Sequence, residues 1–402
     1  MDIFKKIKRM RLSDWHALIL LTITFLPGKL FKLINSNIWV ISEYEMMARD
    51  NGYWFYKFMR EKHGEITCYY PINRNSPDYN KVNALGNVIN YGSLKHYCLF
   101  WAAKVYCGSG SVQGFPYPRI CEDIVLNNLH GFKYVFLNHG ITRGYSHIVN
   151  NKTTNYDILC TCSDIDKNII ISENGQTEDI VKVTGYARHD NLDDLELDDK
   201  LIVIMPTWRE WLSYRNAEND NEKERIKQVF LHSNYYKRYM ELLNDERLDK
   251  YLRENDMKAI FYLHQYAQPY SHFFTASSER VEIGTFDKYD VQSLLKSAVL
   301  LITDYSSVCY DYAYMYKPVL YYQFDIDEFE MKQYSSGGSF SYEEDGLGRI
   351  CYDKNEVITE LEHALLEHFI MPEVYRERVN KYFNYHDRDN CKRIYEQIIL
   401  KE

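Results

Sequence analysis

The chain is poor in what nucleic-acid binding, disulfide stapling and metal coordination require. Its 48 basic residues are outnumbered by 57 acidic ones, for a net charge of −9. A general nucleic-acid binder needs a basic field, so the balance argues against that class and leaves room only for a local basic patch. The nine cysteines are odd in number and scattered. Their one close pair, Cys160-Thr161-Cys162, is too tight for a two-residue zinc spacing, so they read as small buried hydrophobes of a reducing compartment. No carboxylate or histidine cluster has metal-ligand spacing. No metal site and no resident cofactor are therefore expected, and Mg²⁺ enters only as a companion of a nucleotide. There is no internal repeat and no low-complexity tract. The apolar run Ala17 to Leu26 is about half of what a bilayer span needs, so no membrane-spanning segment is expected.

What is present is length, and an alternation of apolar strands with helical segments. At 402 residues the chain exceeds one growing core, and two domains follow. Lys5, Lys6, Lys8, Arg9 and Arg11 precede the Ala17 to Leu26 run, and no small-residue cleavage site follows it. Residues 1–30 read either as a basic amphipathic segment lying on an anionic membrane or as a first helix packed on its own domain. Strands are predicted at Ile38 to Ser42, Thr67 to Ile72, Val88 to Asn90, Lys104 to Cys107, Tyr134 to Leu137, Ile158 to Thr161 and Ile180 to Thr184, with helices at Asn51 to Lys62, Ser93 to Ala103 and Asp164 to Glu173. This makes 31–191 a Rossmann-like α/β domain. An Asp- and Leu-rich linker, 192–200, separates it from a second such domain, 201–371. The second domain has strands at Leu201 to Met205, Ala259 to Leu263, Val281 to Ile283, Val299 to Thr303 and Val319 to Tyr322. The charged stretch Glu210 to Asp256 is helical in large part, and 372–402 forms a helical tail. The 37 tyrosines either line a sugar or nucleotide surface or serve packing.

Polar turns follow these strands, where open α/β sheets bind ligands, in a cleft between the domains. Asp304, Ser306 and Ser307 follow Val299 to Thr303 at the start of a helix, and either cap it or seat a phosphate on its free N–H groups. His139, in Asn138-His139-Gly140-Ile141-Thr142-Arg143-Gly144, follows Tyr134 to Leu137 and is placed to take a proton. Arg188, in Gly185-Tyr186-Ala187-Arg188-His189-Asp190, offers a guanidinium to a phosphate or marks a hinge. Thr207, Trp208 and Arg209 end Leu201 to Met205, and His264 ends Ala259 to Leu263.

The series NHGITRG, GYARHDNL, MPTWRE, YLHQ and ITDYSSVCYDYAYMYKPVLYY resembles the CDP-glycerol glycerophosphotransferase family of teichoic acid primases and polymerases and related capsule enzymes. Ile41-Ser42-Glu43, Ala48 to Tyr53, Ser76 to His96 and Phe383 to Asp387 extend the resemblance over residues 38 to about 396. It implies a GT-B-like fold of two Rossmann-type domains, the first on the acceptor side and the second holding a CDP-alditol. It further implies catalytic roles for His139 and His264, with His139 as the base. Arg209, Asp304, Ser306 and Ser307 would lie in the donor region, joined by Thr207 and Arg188. The family commonly has Trp before the first motif His and Thr-Pro-Leu-Lys after it. Here Asn138 precedes and Ile141, Thr142 and Arg143 follow, which assigns Asn138, Thr142 and Arg143 to the acceptor side and makes that side the divergent one.

The expected activity is transfer of glycerol phosphate, or a related alditol phosphate such as ribitol phosphate, from CDP-glycerol or CDP-ribitol to a hydroxyl of a lipid-linked or polymeric glycan, with release of CMP. The expected location is peripheral, at the cytoplasmic face of a bacterial plasma membrane. The alternatives are a nucleotide-sugar glycosyltransferase of the same architecture and a non-catalytic scaffold that binds polymer.

Overall fold

The computed structural model describes residues 10–192, 197–214, 217, 219–333 and 340–401. The chain divides into two α/β units, Met1–Asn191 together with Asn384–Glu402, and Leu192–Phe383. The first unit is built on β1 (Ile38–Ser42), β2 (Thr67–Ile72), β3 (Val88–Asn90), β4 (Val105–Gly108), β5 (Lys133–Phe136), β6 (Ile158–Thr161) and β7 (Val181–Val183). They pair in the order β3-β2-β1-β4-β5-β6-β7, all parallel. Parallel strands are covered on both faces, which is why these read as continuous apolar runs. Ile38 and Val40 enter one core with Tyr106, Tyr134, Phe136 and the helix Leu94–Ala102. Trp39 and Ile41 enter the other with Val105, Val135, Leu137 and the helix Asn51–Lys62. The strand order reverses between β1 and β4, and ligand crevices of such sheets open at that point on the carboxyl side.

The second unit carries β8 (Leu201–Ile204), β9 (Lys258–Tyr262), β10 (Val281–Gly284), β11 (Leu300–Thr303), β12 (Val319–Tyr322) and β13 (Arg349–Cys351), again all parallel, in the order β10-β9-β8-β11-β12-β13. Strand β13 was not expected. It is three residues long at a sheet edge, and only Cys351 is fully buried, so it lacks an apolar run. The charged stretch after β8 holds the helices Asp220–His232, Asn234–Leu243 and Glu246–Glu254. These turn Phe230, Tyr235 and Tyr239 into the core and their charges outward.

The expected linker, 192–200, falls in the second unit, and the expected tail, 372–402, is shared between the two units. Of the linker 192–200, residues 193–196 lie outside the described residues, and Asp198 already donates its N–H to Ser297 of the second unit at 2.9 Å. The tail is not one element. The helix Glu373–Tyr382 stays with the second unit, its Tyr382 ring 4.9 Å from Tyr310, while the helix Asn390–Leu400 packs Ile394 and Ile398 into the core of the first. Polar pairing fixes that return. Asn384 exchanges two hydrogen bonds with Asp164, and Asp190 accepts the N–H groups of Asn390 and Cys391 at 3.0 and 2.8 Å. Gly185, at φ +75°, has no room for a side chain there, since a Cβ would meet Asn390 Oδ1 at 1.8 Å.

The N-terminal helix runs from Leu12 to Ile34, 23 residues, through Pro27. It is longer than the apolar run Ala17 to Leu26, and by length and composition alone it is long and apolar enough to cross a membrane. One face is packed within the unit. Ala17, Leu21 and Gly28 are buried, and Trp101 donates its Nε1–H to the Leu21 carbonyl at 3.0 Å. On the opposite face Ile19, Ile23, Leu26, Leu30 and Leu33 are exposed. Lys5, Lys6, Lys8 and Arg9 lie outside the described residues.

At Gly28 a Cβ would sit 2.6 Å from the Cys98 carbonyl oxygen and 2.7 Å from Trp101 Cβ. The Gly28→Val variant is expected to force the two helices apart and lose about 1–3 kcal/mol, the usual cost of overpacking. A denaturant midpoint equal to that of the unchanged chain would refute this.

Candidate active site

In the first unit the site begins where β1 ends. Buried Glu43 accepts the N–H groups of Arg49, Asp50 and Tyr53 at 2.9, 3.0 and 2.6 Å, which folds the start of the helix Asn51–Lys62 onto the strand end. Gly52 permits the approach, because a Cβ would lie 2.6 Å from the Ser42 carbonyl oxygen. Burial, with the nearby charge of Asp50, pushes the Glu43 carboxyl up to about 8. Asp50 is the N-cap residue, and its Oδ1 accepts from Asn51 N at 2.7 Å and from Arg188 Nη1 at 2.8 Å. Its Oδ2 meets His139 Nδ1 at 2.5 Å.

His139 is held from several directions. Asn138 takes a left-handed turn at φ +62°, which Asn tolerates, and accepts the His139 N–H at 2.8 Å. Arg188 Nη1 donates to the His139 carbonyl at 3.0 Å, and Asn51 Nδ2 donates to the Asn138 carbonyl at 2.9 Å. The His139 side chain is still 47% exposed. The Asp50 charge raises its pKa against the opposing effect of burial. For Asp50 itself, burial works upward, but His139 and Arg188 outweigh it and hold the carboxyl below its ordinary range. An ionised carboxylate only accepts, so the neutral imidazole carries its proton on Nδ1 and leaves Nε2 as an outward lone pair.

The rest of this loop is framed from inside. Buried Asp166 accepts Thr142 N at 3.0 Å, and Tyr186 OH donates toward Asp166 and toward the Gly140 carbonyl, at 3.1 and 2.9 Å. Burial pushes the Asp166 carboxyl up to about 7. Asn138, Thr142 and Arg143, expected to meet an acceptor, are buried. They shape the loop, and its exposed atoms are those of His139 and of Tyr145, His147 and Ile148 beyond it. Arg188 Nη1 is engaged by Asp50 and by the His139 carbonyl, so it braces the histidine.

The second unit solves the same problem with a buried triad. Arg209, its side chain fully buried, reaches Asp304 Oδ2 at 2.9 Å, and its Nε and Nη2 each lie 3.0 Å from the Asp325 carboxylate. The rings of Tyr235, Tyr305 and Phe329 surround it at 4.8 to 5.1 Å. Burial opposes the charge, but Asp304 and Asp325 more than offset that and raise its pKa. Asp304 Oδ1 also accepts the N–H groups of Thr207 and Tyr305, at 2.7 and 2.6 Å. The triad therefore ties the loops after β8, β11 and β12 together. Arg209 and Asp304, expected in the donor region, are both enclosed here. Thr207 Oγ1 is buried without a hydrogen-bond partner among the described residues.

Above this frame, Ser306 is half-buried and Ser307 exposed at the start of the helix Val308–Tyr314. Ser307 makes no side-chain cap, and Ser306 Oγ accepts only a long bond, 3.4 Å, from Val308 N. Half-buried His264 accepts from Tyr266 N at its Nδ1, 3.3 Å away, and its ring lies nearly parallel to Trp208, 6.0 Å between centroids. Among the described residues no group of three His, Cys, Asp or Glu could hold a metal. The structure thus gathers Asn138, His139, Thr142 and Arg188 in one unit, and Thr207, Arg209, Asp304, Ser306 and Ser307 in the other. Asp50 and Asp325 were missed. Asp50 has a visible signal, an N-cap residue before an amphipathic helix, but its partner lies 89 positions away. Asp325 has none beyond following a strand.

Comparison with known proteins gives these features a context. Residues 25–400 match the family described as CDP-Glycerol:Poly(glycerophosphate) glycerophosphotransferase. The minor teichoic acid biosynthesis protein GgaB of Bacillus subtilis (strain 168) is 29% identical over 365 residues, which is 90% of this chain and 39% of GgaB. The teichoic acid glycerol-phosphate primase of the same organism is 32% identical over 117 residues, 29% of each chain. The chain thus spans well under half the length of GgaB, and the match to the primase covers less than a third of either protein. Among solved structures, the wall teichoic acid polymerase TagF in a variant soaked with CDPG covers 98% of both chains, at a TM-score of 0.66 and 16% identity, and shares the GT-B-like fold.

Replacing Arg209 by Ala leaves Asp304 and Asp325 buried without their counter-charge, a loss expected to cost about 3–5 kcal/mol. Lys at that position cannot bridge both carboxylates with planar geometry and should not restore stability. A shift of the urea midpoint worth under about 1 kcal/mol would contradict a framework role.

Proposed function

Because the chain belongs to the CDP-glycerol:poly(glycerophosphate) glycerophosphotransferase family, we propose that it transfers glycerol phosphate, or a related alditol phosphate such as ribitol phosphate, from a CDP-alditol to a hydroxyl of a teichoic acid or related glycan. The observation that carries this reading is the exposed imidazole of His139, held by an ionised carboxylate at the carboxyl side of a parallel sheet. The acceptor oxygen bonds to the phosphorus that carries the alditol. The phosphoanhydride bond breaks with its electron pair leaving on CMP, and the hydroxyl proton passes to Nε2 of His139.

The donor phosphates are assigned to Ser306 and Ser307 with the N–H groups around them, to the Thr207 hydroxyl, which has no partner among the described residues, and to His264. Fixed donors of this kind stabilise charge as it develops on the leaving phosphate. Arg209 and Asp304 contribute from behind, by holding Thr207 and Tyr305 in place. No resident cofactor enters this reading, and Mg²⁺ would arrive with the nucleotide. The acceptor is proposed to be lipid-linked or polymeric, at the cytoplasmic face of the plasma membrane. The exposed apolar face of Leu12–Ile34, preceded in sequence by Lys5, Lys6, Lys8, Arg9 and Arg11, supports peripheral attachment to an anionic surface.

Offered CDP-glycerol, CDP-ribitol and nucleotide sugars in turn, with a glycolipid or polyol-phosphate acceptor, the protein is expected to release CMP from a CDP-alditol and form a phosphodiester visible by mass spectrometry. Release of a nucleoside diphosphate with a glycosidic product would reassign it as a glycosyltransferase. Turnover of no donor would argue for a scaffold. His139→Ala should lower turnover about 10²–10⁴-fold and keep CDP-alditol binding, whereas Ser306→Ala with Ser307→Ala should weaken that binding. For the membrane, Ile19→Glu, Ile23→Glu and Leu30→Glu together should abolish co-sedimentation with anionic vesicles; unchanged sedimentation would end the peripheral assignment.

A further inference from the structure

The carboxylate of Asp50 does more than an N-cap requires. A cap needs one oxygen to accept a backbone N–H, and Oδ1 fills that role toward Asn51 N. Oδ2 meets His139 Nδ1, and Arg188, itself buried, braces Oδ1 and the His139 carbonyl with the same Nη1. Glu43 sets the turn beneath by accepting the Asp50 N–H. We propose that Asp50 is the positioning residue of the base: it selects the Nδ1–H tautomer, directs Nε2 outward to the acceptor hydroxyl and stabilises the imidazolium formed when the proton arrives. This deepens the reaction proposed above and rests on the role given there to His139.

The charge balance fits that task. The groups acting on the ring are Asp50, Arg188 and Glu43; Asp50 raises the imidazole's proton affinity, Arg188 lowers it and Glu43 raises it slightly. Arg188 and His139 in turn keep Asp50 ionised, so the transferred proton stays on the ring. Asp50 and His139 meet only because the loops after β1 and β5 lie side by side at the carboxyl edge of one sheet, with β4 between their strands.

The test compares wild type, Asp50→Asn, Asp50→Glu and His139→Ala in CMP release across pH. Asn caps helices about as well as Asp, so D50N keeps the helix start while removing the charge. D50N is expected to lose at least about 100-fold in kcat with little change in KM for the CDP-alditol. Its acid limb should move to lower pH, because a base no longer supported by a carboxylate protonates less readily. D50E should recover part of kcat and move the limb back. A D50N enzyme with near-normal kcat and an unmoved limb, beside an inactive H139A, would overturn the Asp50 assignment and leave the base in place. An active H139A would overturn the base itself. Should D50N melt too early to assay, ¹⁵N NMR of His139 in the wild-type protein decides: the Nδ1–H tautomer with a raised pKa is expected, and the Nε2–H tautomer refutes the proposal.

Discussion

Three demands meet on one carboxylate at Asp50: it caps the helix Asn51–Lys62, pairs with buried Arg188 and orients His139. One side chain meets all three at once. The helix start sits on the end of β1 because Glu43 gathers three of its N–H groups and Gly52 leaves room. That placement brings the carboxylate within reach of a loop from β5 and a guanidinium that follows β7. An unpaired charge there would be costly, so burial enforces the geometry that the chemistry uses.

The second unit repeats the solution with the charges exchanged. There a guanidinium sits between two carboxylates, and the loops after β8, β11 and β12 hang from it. Open α/β sheets concentrate polar loops at their carboxyl edge, where backbone groups lack sheet partners. Buried ionic clusters hold such loops at fixed positions, and the side chains above them, exposed His139 in one unit and half-buried Ser306 with exposed Ser307 in the other, inherit that precision. Arg188 and Arg209 take part in these clusters, paired with Asp50 and with Asp304 and Asp325.

Much of the frame was legible from residue pattern. Val299 to Thr303 and Leu201 to Met205 are apolar without alternation, which only a strand covered on both faces demands, and β11 and β8 occupy them to within a residue at each end. The helix Asn51–Lys62 is marked by its cap and its apolar spacing. Strand β13 was illegible because an edge strand need not be apolar, and the length of the N-terminal helix was hidden because its two faces meet different surroundings. In the site, His139 and the serine turn were legible as polar residues at strand ends. The inward direction of Thr142, Arg143 and Arg209 was not, since a polar side chain is as easily buried with a partner as exposed without one.

The sequence alone determined the two parallel sheets, the loops that could carry chemistry and the family to which the series of motifs belongs, because strand burial and turn chemistry are local properties. Only the tertiary structure decided which of those polar residues face outward and which hold the frame. Asp50 and His139 are 89 residues apart, and Arg209 and Asp325 are separated by 116. No local preference records such pairings; the lateral order of strands in each sheet creates them.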